Sequence, residues 1–109
     1  MKSTMNGSEL TLYVTGEIDH HNAARIRETA DGLIQQRHPT VLRLNFAGVE
    51  FMDSSGIGLI MGRFRMMQLY GGKLRVTDIP QGLRRMMELS GLTGLDVLER
   101  SRESGDCTE

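Results

Sequence analysis

The chain has 109 residues, of which 39% are hydrophobic and 25% charged, with a formal net charge of −1. That is material for one hydrophobic core and not two, in a composition ordinary for a folded domain and unlike a disordered one. A charge balance so near zero offers no basic field to a nucleic-acid backbone, and the single cysteine, Cys107, excludes a disulfide framework within the chain.

In chain order, residues 9–15, ELTLYVT, alternate apolar and polar at Leu10, Leu12 and Val14, the pattern of a half-buried strand that ends at Gly16. Residues 17–38 then space Ala23, Ile26, Ala30, Leu33 and Ile34 three and four apart, one face of a helix. Asp19 or a near neighbour is its natural N-cap, and Pro39 lies just past its end. TVLRLNFAG, residues 40–48, carries Val41, Leu42, Leu44 and Phe46 and reads as a central strand covered on both faces. A second helical pattern holds Ile57, Ile60, Met61, Phe64 and Met67 and stops at Gly71-Gly72. KLRVTDI, residues 73–79, is a strand with Leu74 and Val76 inward. PQGLRRMMELSG, residues 80–91, is a short helix with Pro80 in its first turn and Gly91 as its stop. LDVLE, residues 95–99, supplies a last short strand, and the polar tail RSRESGDCTE, residues 100–109, is expected to fray.

The order β-α-β-α-β-α-β with short connections implies βαβ units and a mostly parallel sheet. In such sheets the functional loops lie where strands end and helices begin. Two loops qualify, Gly16–Asn22 and Met52–Gly58, and they are expected side by side on one edge. No apolar run reaches the roughly 18 residues of a membrane span, and MKSTMNGSEL lacks the apolar core of a secretory signal. The expected setting is the cytosol, with no membrane or nucleic-acid partner. The arginine pairs Arg63/Arg65 and Arg84/Arg85 are read as solvated helix faces, and Met61, Met66 and Met67 as core filler that also suits an adaptable contact surface.

The chemistry concentrates in EFMDSSGIGLIMGRF, residues 50–64. Asp53-Ser54-Ser55 satisfies a plain N-cap, in which the serine oxygens accept from the orphan amides of the first turn. A cap does not explain Gly56, Gly58 and Gly62, since a glycine inside a helix costs about 1 kcal/mol relative to alanine. Gly58 and Gly62 are four apart and share a helical side; the bare strip admits another backbone, the domain's own or a partner's. A hydrolytic nucleophile would need Gly-x-Ser-x-Gly and a phosphate-binding loop Gly-x4-Gly-Lys-Ser/Thr; neither is present. A helix N-terminus does favour an anion, and a phosphate esterified to a serine is one. Phosphoserine brings roughly −1.5 to −2 charges, which beside Asp53, on a surface of small residues, repels and resists desolvation where a neutral hydroxyl docks. A local charge change of that kind is a complete switch. In the other loop, GEIDHH, the adjacent His20 and His21 cannot face each other across a helix. With Asp19 they lack a fourth metal donor and fit a polar rim beside the Ser54 loop.

LYVTGEIDHHNA, FMDSSGIGLIMGRF, and GGKLRV followed by LRRMMELSGL resemble the STAS domain of bacterial anti-sigma factor antagonists, the sporulation type (anti-sigma F factor antagonist) most of all. The resemblance runs from about Glu9 to Glu99. It implies an α/β fold: a single STAS domain over residues 1–109, with a core of about 9–99, a polar tail of 100–109, and a small mixed, mostly parallel sheet of four to five strands with helices packed largely on one side. It implies a regulatory binding protein and not an enzyme, with no cofactor; no phosphate motif supports direct nucleotide binding. The partners implied are an anti-sigma factor that is also a serine kinase, and a serine phosphatase; the free antagonist is expected as a monomer. The unmodified form binds the kinase and frees a sigma factor, and phosphorylation then releases the antagonist. The family's phosphoacceptor falls on Ser54. Asp53, Ser55, Gly56 and Gly58 match its surroundings, Gly62 continues the bare strip, and Asp19, His20 and His21 match the neighbouring loop. A STAS protein of another pathway, a general-stress antagonist or a lipid-transport accessory subunit, is the alternative. One departure is the short polar tail where the family has a C-terminal helix.

Overall fold

The computed structural model describes residues 1–99; the tail expected to fray lies outside them. Eight elements follow one another: β1 Lys2–Asn6, β2 Glu9–Ile18, α1 His20–Arg37, β3 Val41–Met52, α2 Ser54–Leu69, β4 Lys73–Thr77, α3 Gln81–Leu89, and a short 3-10 turn at Leu92–Leu95. The strands form one sheet in the order β1-β2-β3-β4. β1 pairs antiparallel with β2, while β2-β3 and β3-β4 are parallel. The fold is therefore the mixed, mostly parallel α/β sheet expected.

The sequence reading misses β1, whose residues are exposed except for half-buried Met5. Without a buried face it has no apolar alternation to announce it. A signal was nevertheless present at Gly7-Ser8, the two residues left between the paired Asn6 and Glu9. Gly7 has φ +63, which a tight hairpin with glycine in its first position requires.

One face of the sheet carries the core. Leu10, Leu42 and Leu74 stand in register, as do Leu12, Leu44 and Val76, and all six are buried with Val14 and Phe46. α1 packs on β2 and α2, and α2 packs on β3 and β4, filling this face with Ile26, Ala30, Ile34, Leu59, Ile60 and Met67. The opposite face presents Thr11, Tyr13, Val41, Arg43 and Asn45, only partly covered, with an ion pair between Arg43 and Glu9. This corrects the expectation that residues 40–48 are covered on both faces. Read strictly, Leu42, Leu44 and Phe46 alternate with Val41, Arg43 and Asn45, the signature of one buried face.

Three boundaries differ from the sequence reading. β2 passes through Gly16 to Ile18, and β3 continues to Met52, so each anticipated loop shrinks to one aspartate. The strand expected at residues 95–99 is a single parallel bridge, Val76 with Leu98. The stops are as anticipated: α1 ends at His38 in the left-handed conformation before Pro39, and Gly71 and Gly91 take positive φ after α2 and α3.

Candidate functional site

β2 and β3 do not keep one register. They pair 32 positions apart at Leu10/Leu42 and 34 apart at Ile18/Met52, with irregularities between Tyr13 and Thr15 and between Gly16 and Glu17. β3 thus holds two extra residues, as β-bulges do. Asn45 steadies the first bulge, its Oδ1 accepting from the Ala47 amide at 3.0 Å. Gly48 eases the close approach there, since a Cβ would lie 2.7 Å from the Thr15 methyl and push that side chain aside.

The result is that both strands end level. Ile18 is opposite Met52, the Asp53 amide donates to the Ile18 carbonyl at 3.1 Å, and the next residue of each chain is an aspartate. Asp19 and Asp53 take the same extended backbone, each with φ −104. Asp19 Oδ1 accepts from the Asn22 amide and Asp53 Oδ1 from the Ser55 amide, both at 2.8 Å. Two helices therefore start side by side, their N-terminal partial positive charges met by paired carboxylate caps.

This assignment leaves the serines out of the cap. Ser54, the first residue of α2, is exposed. Ser55 is half-buried and turns toward α1. The three glycines separate. Gly56 is buried, and a Cβ there would collide with Met52 Cγ and Sδ and touch Ile18 Cγ2 at 3.3 Å, so its bareness serves the domain's own packing and not the surface. A Cβ on Gly58 or Gly62 would meet nothing within 4 Å. These two line a groove of about 390 Å³ between α1 and α2, with Ser55, Leu59 and Arg63 on one side and His20, Ala23, Ala24 and Arg27 on the other. His20 is thus at the rim of the groove beside the Ser54 loop, whereas His21, exposed as well, is not among the lining residues.

The sequence reading missed Arg27 and Asp31 and put Arg63 on a solvated helix face. Arg63 is not on a solvated face: it is 7% exposed, while Arg65 is exposed. Its Nε lies 2.9 Å from Asp31 Oδ1 across the helix pair, off hydrogen-bond alignment, and its Nη1 is enclosed without an acceptor. Burial lowers the Arg63 pKa, Asp31 opposes that, and Arg27 adds to the lowering; an arginine stays charged throughout. The helical period did carry the signal. Gly56, Leu59, Ile60, Arg63 and Met67 are the buried positions of α2, so Arg63 falls where that series needs a core residue. Arg84, in the other pair, is half-buried beside Glu88 at 3.4 Å.

Among the described residues no group of three or more His, Cys, Asp or Glu is placed to hold a metal ion, and no helix is long and apolar enough to cross a membrane. What the arrangement offers is an exposed primary hydroxyl at a helix start, next to a partly cationic groove.

The STAS domain family matches residues 2–104. The chain is 36% identical over 83 residues to the anti-sigma F factor antagonist of Paenibacillus polymyxa, across 76% of this chain and 71% of that protein. It is 30% identical over 100 residues to the anti-sigma-B factor antagonist of Bacillus subtilis (strain 168), across 92% and 90%. The anti-sigma factor antagonist SpoIIAA is similar in both its solved forms, at 28% identity. The TM-score is 0.79 for the unphosphorylated form, over 95% of this chain and 90% of that one. It is 0.71 for the phosphorylated form of this Bacillus cell fate determinant, over 99% and 98%.

Proposed function

The chain belongs to the STAS domain family, with anti-sigma factor antagonists as relatives, and from that premise we propose that it is an anti-sigma factor antagonist switched by phosphorylation at Ser54. The unmodified chain docks on a kinase-type anti-sigma factor and frees the sigma factor. The kinase then transfers the γ-phosphoryl group of ATP to Ser54: the serine oxygen attacks phosphorus, its proton is lost and ADP leaves. A phosphatase returns the hydroxyl by hydrolysis. The chain itself is a binding module and a substrate, not a catalyst. It works in the cytoplasm, takes no cofactor, is a monomer when free, and uses residues 1–109 as one domain.

The observation that carries this reading is the exposed Ser54 at the head of α2, with the cap supplied by Asp53 instead. A phosphate there adds roughly −1.5 to −2 charges next to a fixed carboxylate, and a docking surface must then desolvate both. The fold has no reason to change, because an anion in the first helical turn is favoured by about 0.3–1 kcal/mol. That SpoIIAA has been solved in unphosphorylated and phosphorylated forms supports the same chemistry here. The test is incubation with the kinase-type anti-sigma factor and ATP, followed by mass spectrometry of the Ser54 peptide. Ser54→Ala should bind and resist phosphorylation, and Ser54→Asp should lose binding; a Ser54→Asp chain that titrates like wild type sinks the charge switch.

The likeness to an anti-sigma-B factor antagonist over most of the chain supports a second reading, the same switch in a pathway other than sporulation. The genes beside this one, and which of two purified anti-sigma factors it binds, separate the two.

A further inference from the structure

The groove between α1 and α2 has a chemistry of its own. Its charged lining is Arg27 and Arg63, with His20 at one end and no carboxylate among the lining residues. Arg63 is 7% exposed, yet among the described residues its acidic neighbour Asp31 meets Nε out of alignment and Nη1 has no acceptor. A buried donor left unpaired is costly, and native proteins supply it with a partner. Gly58 and Gly62 keep the wall bare although nothing in the domain comes within 4 Å of the space their side chains would take. The groove is also continuous with the docking surface, since Ser55 lines it and directly follows Ser54.

We propose that this groove receives an acidic side chain, Asp or Glu, of the docking anti-sigma factor, its carboxylate held between Arg27 and Arg63. The bare strip lets the backbone bearing that side chain come close, and an arginine on either side allows the paired, charge-assisted hydrogen bonds that carboxylates favour. The proposal rests on the reading that the Ser54 face docks an anti-sigma factor, and it adds the chemistry by which a partner is recognised.

The test is a titration of the purified kinase-type anti-sigma factor against wild type and the Arg27→Glu, Arg25→Glu and Ser54→Asp variants. Arg27 and Arg25 are both exposed, so their variants should melt like wild type, and only Arg27 lines the groove. Arg27→Glu should weaken binding tenfold or more, Arg25→Glu less than twofold, and an Asp→Lys or Glu→Lys change in the partner should restore binding to Arg27→Glu. If Arg27→Glu binds within twofold of wild type while Ser54→Asp does not bind, the groove proposal is overturned and the switch stands. Equal losses at Arg25 and Arg27 overturn it too, as a diffuse charge effect. A wild-type chain that does not bind at all overturns both readings.

Discussion

Gly56, Gly58 and Gly62 look alike in the sequence and differ in their surroundings. Gly56 faces Met52 and Ile18 with no room for a methyl group, while Gly58 and Gly62 face open space. Gly56→Ala should therefore destabilise the domain by about 1–3 kcal/mol, the usual cost of overpacking, seen as a lower urea midpoint. Gly58→Ala should raise stability by up to about 1 kcal/mol through helix propensity and weaken docking on the anti-sigma factor in the same sample. Opposite signs for stability and binding at Gly58 identify a residue kept bare for a partner; a neutral effect on binding removes that role. Asp53→Ala should cost about 1 kcal/mol, as lost N-caps do, because its carboxylate holds the Ser55 amide. The cap of α1 at Asp19 was legible from residue type, whereas residue type pointed to serine oxygens for α2, where the cap is Asp53. Which glycine turns inward was not legible, since that depends on where Met52 sits.

At the scale of elements, the placement of α1 against α2 decides the site. The pair Arg63–Asp31 bridges the two helices with the arginine enclosed and the Asp31 side chain 31% exposed. Asp31→Ala should cost about 2 kcal/mol, below the roughly 3–5 of a fully enclosed pair, because water can still reach part of this one. Glu88→Ala, which removes a partly exposed i,i+4 partner of Arg84, should cost less than about 0.5 kcal/mol. Thermal melts of the two variants side by side check the contrast, and equal losses would mean that the interhelical pair contributes no more than a surface one. Arg63 was legible in principle, by continuing the α2 period through it. Its partner Asp31 was not, because nothing in either helix states the rotation at which they meet.

At the scale of the whole molecule, one core on one side of the sheet supports everything else. Phe46, fully buried in β3, lies among core residues from every layer. Phe46→Ala should cost about 3–5 kcal/mol, a large part of the 5–15 kcal/mol that holds a domain together. Unfolding followed by circular dichroism should remain one cooperative transition, with docking and Ser54 phosphorylation lost along the same curve. By contrast, Ser54→Asp should leave the melting temperature unchanged or slightly higher, since the added charge sits at a helix N-terminus. A large fall in its melting temperature would show that the serine supports the fold and is not free for a switch.

The sequence by itself determined the periods of α1, α2, β2 and β4, the aspartate cap of α1, the glycine stops and the serine at a helix start, because each is set by residues within a few positions of one another. Only the tertiary structure decided that the two helices begin level. That depends on two extra residues in β3, which bring Ile18 opposite Met52 and so set the caps, the groove and the exposed Ser54 beside one another. Local preference cannot express a register shift, since pairing is a relation between strands more than 30 positions apart, and only packing against a shared core selects one register over the next.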